Sequence, residues 1–83
     1  MTIANDIRII VYKEDDHYIA QCLEYDICTQ AGDRDTLRDR MACLIECEIR
    51  AMEESNQAID AAPERFHNMW DKGDRLSYRE VAA

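Results

Sequence analysis

Residues 7–26 read IRIIVYKEDDHYIAQCLEYD, and this stretch decides the fold. Apolar, mostly β-branched side chains alternate along residues 7–12 with the two-residue period of a strand, and residues 17–23 repeat the pattern. The charged tetrad KEDD at residues 13–16 separates the two runs, and Asp side chains bond readily to turn backbone. The stretch therefore predicts two strands joined by an acidic hairpin turn.

Ile10 and Tyr12 make the first strand apolar on both faces, since they lie opposite Ile7, Ile9 and Val11. A strand that is apolar on both faces is typically covered on both sides. A chain of 83 residues has room for one small core, and association is a common way to complete it. We therefore expect a homodimer or higher homo-oligomer, with Ile10 and Tyr12 at its interface.

The next segment, ICTQAGD at residues 27–33, predicts a third short strand that ends at Gly32, where we expect an unusual backbone angle. A long helix follows. Thr36 is its expected N-cap, with Asp39 three residues later as a weak capping-box partner. Apolar side chains then recur at helical spacing and predict a core-facing helix: Leu37, Met41, Leu44, Ile45, Ile49 and Met52.

Glu48 breaks this pattern, because at about 100° per residue its side chain falls near the centre of the apolar arc. A buried carboxylate is costly without a partner, so Glu48 must reach solvent past the helix, meet an arginine, or face another chain. We assign it to the oligomer interface together with Ile10 and Tyr12.

The rest of the chain is predicted to extend the same compact unit. Residues 1–55 carry the strand–strand–strand–helix core, and residues 56–83 add to it without forming a separate domain. Pro63 is expected to open a short helix over residues 64–72 that anchors two aromatic side chains. Residues 76–81 alternate weakly, as an edge strand or a frayed tail would. The predicted fold class is α+β.

The composition is acidic, with 18 Asp and Glu against 10 Lys and Arg and a formal net charge of −8. This sign disfavours direct binding to nucleic-acid phosphates and favours a basic partner. The first residues carry no basic and apolar signal segment, and no run approaches the roughly 20 apolar residues that span a bilayer. We expect a cytoplasmic protein, away from membranes, with its four cysteines reduced.

No pattern typical of a catalytic site or a cofactor occurs, so we predict that the protein is not an enzyme and has no catalytic residues, metal or cofactor. Two alternatives stay open. Cys43 and Cys47 on the helix, with Cys22 and Cys28, would make a four-sulfur zinc site, although buried thiols more often act as small apolar side chains. Carboxylates that converged on adjacent strands would make a metal-dependent nuclease-like hydrolase, although the acidic clusters fall mainly in turns.

Three short motifs follow one another in a fixed order: Tyr18-Ile19-Ala20 in the second strand, Gly32-Asp33 after the third, and Thr36-Leu37 at the helix start. With the strands around them, they make residues 7–52 resemble the HicB-like family of antitoxins. The link after the second strand, which often reads PDLPGC in that family, is here Glu24-Tyr25-Asp26-Ile27-Cys28 and lacks the prolines.

The resemblance implies a three-stranded antiparallel sheet with the long helix packed on it, a reduced ribonuclease-H-type fold. It also implies a non-enzymatic protein that neutralises a small basic HicA-like toxin, an RNA-cleaving protein. By analogy we place the partner surface on five carboxylates: Glu14, Asp15, Asp16, Glu24 and Asp26. Most family members add a C-terminal DNA-binding module. Here nine residues follow Asp74, so we do not expect operator binding, and a stand-alone homo-oligomer is the alternative.

Overall fold

The structure is a computed structural model that describes residues 7–77, with backbone alone at residues 74, 76 and 77. Its elements in chain order are β1 (Arg8–Glu14), β2 (His17–Cys22), β3 (Cys28–Ala31), α1 (Arg34–Ser55), α2 (Glu64–His67) and β4 (Asp74–Ser77). The strands form one antiparallel sheet in the order β3-β2-β1-β4. The predicted α+β class and the order of three strands, long helix and short helix are confirmed, and β4 widens the sheet beside β1.

The hairpin between β1 and β2 is tighter than the sequence predicts. Pairing continues to Glu14 and His17, so the loop consists of two residues, Asp15 and Asp16. Asp15 has φ of 54°, in the left-handed region that a short polar side chain tolerates better than a bulky one. Lys13 and Glu14, predicted in the turn, therefore belong to β1.

One face of the sheet packs against α1. The helix contributes a row at i, i+4 spacing, Leu37, Met41, Ile45 and Ile49, and each of these side chains is at most 4% exposed. The sheet contributes alternate residues of its strands: Ile7, Ile9, Val11, Ala20, Cys22 and Ala31. Each large aliphatic side chain in this layer stabilises the fold by about 1.5–3 kcal/mol relative to an exposed one.

The start of α1 differs from the prediction, because Asp33 and not Thr36 is its N-cap. Asp33 has extended backbone, its Oδ1 accepts the Thr36 N–H at 2.8 Å, and its Oδ2 accepts the Thr36 hydroxyl at 2.9 Å. Thr36 thus lies in the first turn as the donor. These hydrogen bonds favour the charged carboxylate and hold the pKa of Asp33 below its usual value.

The second face of the sheet is covered by the chain's own residues after α1. Ile10 and Leu23 on this face are at most 1% exposed. The Ala62 N–H donates to the Leu23 carbonyl oxygen at 3.1 Å, and the Trp70 ring lies 5.6 Å from the Arg8 guanidinium. The apolar residues on this face are therefore explained by cover from the chain itself, without a second subunit.

The path of this covering segment also departs from the prediction. The helix predicted over residues 64–72 is confined to Glu64–His67, and Pro63 precedes it as the N-cap residue. Turns follow, with the Gly73 N–H donating to the Met69 carbonyl oxygen at 3.1 Å, and the chain then enters β4. Of the strand predicted over residues 76–81, the last four positions lie outside the described residues.

Candidate interaction surfaces

The hairpin carboxylates lie together at one end of the sheet. Glu14, Asp15 and Asp16 are all exposed, and none of them has an ion pair within residues 7–77. Lys13 beside them is also exposed, and its ammonium lies 5.7 Å from the centroid of the Tyr18 ring. We call Glu14, Asp15 and Asp16 the hairpin carboxylates. They form a small acidic tip made of the two-residue loop and the last residue of β1.

Glu24 and Asp26, assigned to the same surface, lie at the other end of the sheet. β2 separates them from the hairpin by six residues, about 20 Å of extended chain. The five carboxylates assigned to the partner surface therefore do not form one contiguous patch. The alternation along a strand shows which face a residue is on, but residues at the two ends of a strand do not meet.

These two carboxylates also have partners inside the chain. Glu24 is half-buried: its Oε2 lies 2.7 Å from the Arg8 Nε, and its Oε1 accepts the Arg8 backbone N–H at 2.5 Å. Asp26 Oδ1 accepts a hydrogen bond at 3.1 Å from Gln21, which is 2% exposed. The Asp26 N–H donates to the Asp60 carbonyl oxygen at 2.6 Å. Glu24 and Asp26 therefore fasten the sheet end to neighbouring segments.

The three residues assigned to an oligomer interface have different surroundings. Ile10 is 1% exposed in the single chain, so it offers no surface to a second copy in this conformation, and its assignment is corrected. Tyr12 is half-buried, and burial raises its pKa, with Cys28 and Glu14 acting in the same direction and Arg65 against them. Glu48 is exposed.

Glu48 is exposed although Ile49 beside it is buried, because the two side chains point about 100° apart around α1. α1 is also longer than the sheet beneath it. A helix of 22 residues extends about 33 Å, whereas the six residues of β2 span about 20 Å. The last turns of α1 therefore continue past β3, and Met52 there is half-buried. In the single chain the Glu48 side chain therefore reaches solvent, and its assignment to an oligomer interface stays a prediction.

The residues that fold back against these last turns were not predicted from the sequence to form a site. Asn56 has φ of 59° and reverses the chain, and the Ile59 N–H then lies 3.4 Å from the Met52 sulfur. Between the helix and this reversal is a groove, which we call the helix-end groove, lined by Glu48, Ala51, Met52, Glu53, Ser55, Asn56, Gln57, Ala58 and Ile59. The signal available in the sequence was Ala58-Ile59, an apolar pair directly after a polar helix end.

The cysteines do not assemble into a four-sulfur site. Cys22 is buried under α1, Cys28 is exposed on β3, and Cys43 and Cys47 are exposed on the helix. Within residues 7–77, no three Cys, His, Asp or Glu side chains converge in a way that could hold a metal ion. The four-sulfur zinc alternative and the converging carboxylates of the hydrolase alternative are therefore not formed in the described part of the chain.

Comparison with protein-family models, with curated proteins and with solved structures finds no significant match for this chain. Among the described residues, no helix is both long enough and apolar enough to cross a membrane.

Proposed function

We propose that this protein is a non-enzymatic interaction module of the HicB-like antitoxin type, which binds and neutralises a small basic HicA-like, RNA-cleaving toxin. Its place of action would be the cytoplasm, where its four unpaired cysteines would stay reduced. The order of motifs in residues 7–52 supports the family resemblance. The proposal includes no catalytic role for any residue.

One observation carries the proposal: among the described residues, several exposed carboxylates have no ion-pair partner within the chain. Arg8 forms an ion pair with Glu24 and Arg50 forms one with Glu46, and Arg34 and Arg38 also have interaction partners. The hairpin carboxylates and, at the other end of the molecule, the exposed Glu48 and Glu53 have no ion-pair partner among the described residues. An acidic surface on a compact scaffold favours fast encounter with a basic protein and disfavours nucleic acid.

The proposal is tested by co-purification of the tagged chain from its own cells at low and at high salt, with every associated protein identified. We expect a small basic protein at low salt and its loss at high salt, because exposed charges are screened within a Debye length of about 10 Å at 0.1 M salt. Recovery of the chain alone at low salt would contradict the proposal.

A stand-alone homo-oligomer is the second candidate, and the edge of the sheet at β3, unpaired among the described residues, favours it. β3 is an edge strand, and an unpaired edge can pair with a strand of another copy. Arg40 donates to the Gln30 carbonyl oxygen at 2.8 Å and so occupies one acceptor of this edge. Multiples of the chain mass that persist at high salt would support this candidate over the first.

A further inference from the structure

We propose that the helix-end groove is the docking site for the basic partner, and that it receives an Arg or Lys side chain of that partner. In this arrangement the charged head of the side chain pairs with Glu48 and its aliphatic stem lies against Met52 and Ile59. The inference rests on the proposed function for the existence of a partner, but it specifies the surface and the chemistry of recognition.

The shape of the groove is set by two elements that meet at an angle and leave space between them. Two adjoining open depressions of about 300 and about 250 Å³ lie there, and both are lined by Met52, Gln57 and Ala58. Glu53 lines the first depression, and Glu48 and Ile59 line the second. Volumes of this size accommodate individual side chains, which suits a protein segment as the occupant.

The apolar part of the groove is incompletely covered by the chain itself. Met52 and Ile59 are half-buried, and Ala58 is exposed. Methionine adapts its shape to irregular partners, and the stems of Arg and Lys side chains lie readily along apolar surface while their heads stay at charged groups. The groove thus matches a long cationic side chain better than a short or purely apolar one.

Both charged side chains that line the groove, Glu48 and Glu53, are acidic. The last turn of α1 contains no basic residue, and the carbonyl end of the helix dipole adds negative potential there. Arg50, the nearest cation along the helix, is bonded to Glu46 through its Nη2 at 2.6 Å. A second copy of this chain is disfavoured as the occupant, because each copy has a net charge of −8.

The test uses the full chain and a synthetic peptide with arginine and leucine at helical spacing as the probe, with methyl NMR spectra of Met52 and Ile59 as the readout. We expect saturable shifts at these two methyl groups. Glu48→Gln should weaken peptide binding about fivefold, the effect of losing one partly exposed charge pair. Glu53→Gln is a second variant at the same groove.

Glu54→Gln is the matched control, because it also removes one exposed negative charge from α1. Glu54 is about 120° away from Glu48 around the helix and lines neither depression. Its affinity should stay within about twofold of the unmodified chain. Equal losses for Glu48→Gln and Glu54→Gln, or shifts confined to the hairpin, would overturn the inference.

Glu48→Gln and a double change in the hairpin distinguish a failure of the groove proposal from a failure of the proposed function. A co-purified basic protein that is retained by Glu48→Gln and released by the double change Asp15→Asn and Asp16→Asn would leave the function standing and refute the groove. Peptide binding that depends on Glu48, with no basic partner recovered from cells, would support the groove and refute the proposed function.

Discussion

Replacement of Ile10 tests whether the second face of the sheet is a core closed within one chain. Ile10 is 1% exposed, and its backbone is paired with Gln21 on one side and Arg75 on the other. The strand therefore cannot shift to fill the space that a smaller side chain would leave. Ile10→Val should cost about 0.5–1.5 kcal/mol and Ile10→Ala about 2–5 kcal/mol. An 83-residue domain has about 4–12 kcal/mol of stability, so the valine variant stays folded with a measurable loss.

The assay is urea unfolding, followed by the fluorescence of Trp70 and by the far-UV circular dichroism of α1. Trp70 is the one tryptophan in the sequence and lies beside Arg8 on the second face. With a slope of about 1 kcal/mol/M, Ile10→Val should lower the midpoint by about 0.5–1.5 M at every protein concentration. Ile9→Val, on the face that α1 covers, is the matched control and should lose a similar amount.

Protein concentration provides the refuting outcome for this prediction. If a second copy covered Ile10, stability would rise by about 1.4 kcal/mol for each tenfold increase in concentration. A midpoint that moves in this way, or an Ile10→Val variant as stable as the unmodified chain while Ile9→Val is weakened, would refute a second face closed within one chain.

Three further predictions follow from individual contacts. Asp33→Ala should lower the melting temperature at neutral pH. The pKa of Asp33 is lower in the folded state, so its contribution to the stability of the fold is present above the unfolded-state pKa and is lost as pH falls through the folded-state pKa. The melting temperatures of the variant and the unmodified chain should therefore converge in acid. A difference that stays constant with pH would contradict this. In maleimide labelling, buried Cys22 should react only on unfolding, while the three exposed thiols react in the folded protein. Cys43→Ala should speed the labelling of Cys47, because the hydrogen bond with Cys43 raises the pKa of Cys47. Glu24→Ala should cost about 1–2 kcal/mol in urea unfolding, since the Arg8 N–H loses its acceptor, and no loss would show that solvent replaces it.

The central fold was predictable because its signals are local and periodic. The alternation along residues 7–12 and 17–23 sets two strands, and the spacing of Leu37, Met41, Ile45 and Ile49 sets the buried face of the long helix. The helix pattern reflects burial against one sheet face, and the strand pattern reflects burial on both faces of the sheet. The exact N-cap was missed because Asp33 and Thr36 are both good capping residues, and the choice depends on where the preceding strand ends.

What the sequence did not indicate depends on distant parts of the chain. The apolar character of the second face was visible in the sequence at Ile10. The residues that cover this face lie around Ala62 and Trp70, far along the chain. Positive φ angles occur at Asp15 and Asn56, whereas Gly32, where an unusual angle was expected, has none. The position of Asn56 in turn forms the helix-end groove.

The acidic character of the chain was predictable from its composition, but the surroundings of individual carboxylates were not. That Glu24 bonds to Arg8 and that Glu48 is exposed depend on how the strands and the helix meet in the fold. These are tertiary properties, which a local sequence pattern does not record.

The most direct test of the central claim is native mass spectrometry of the chain purified from its own cells at low salt. The account predicts a complex of the chain with a smaller basic protein, which separates when the salt concentration is raised. A spectrum that contains only multiples of the chain's own mass, unchanged by salt, would contradict it.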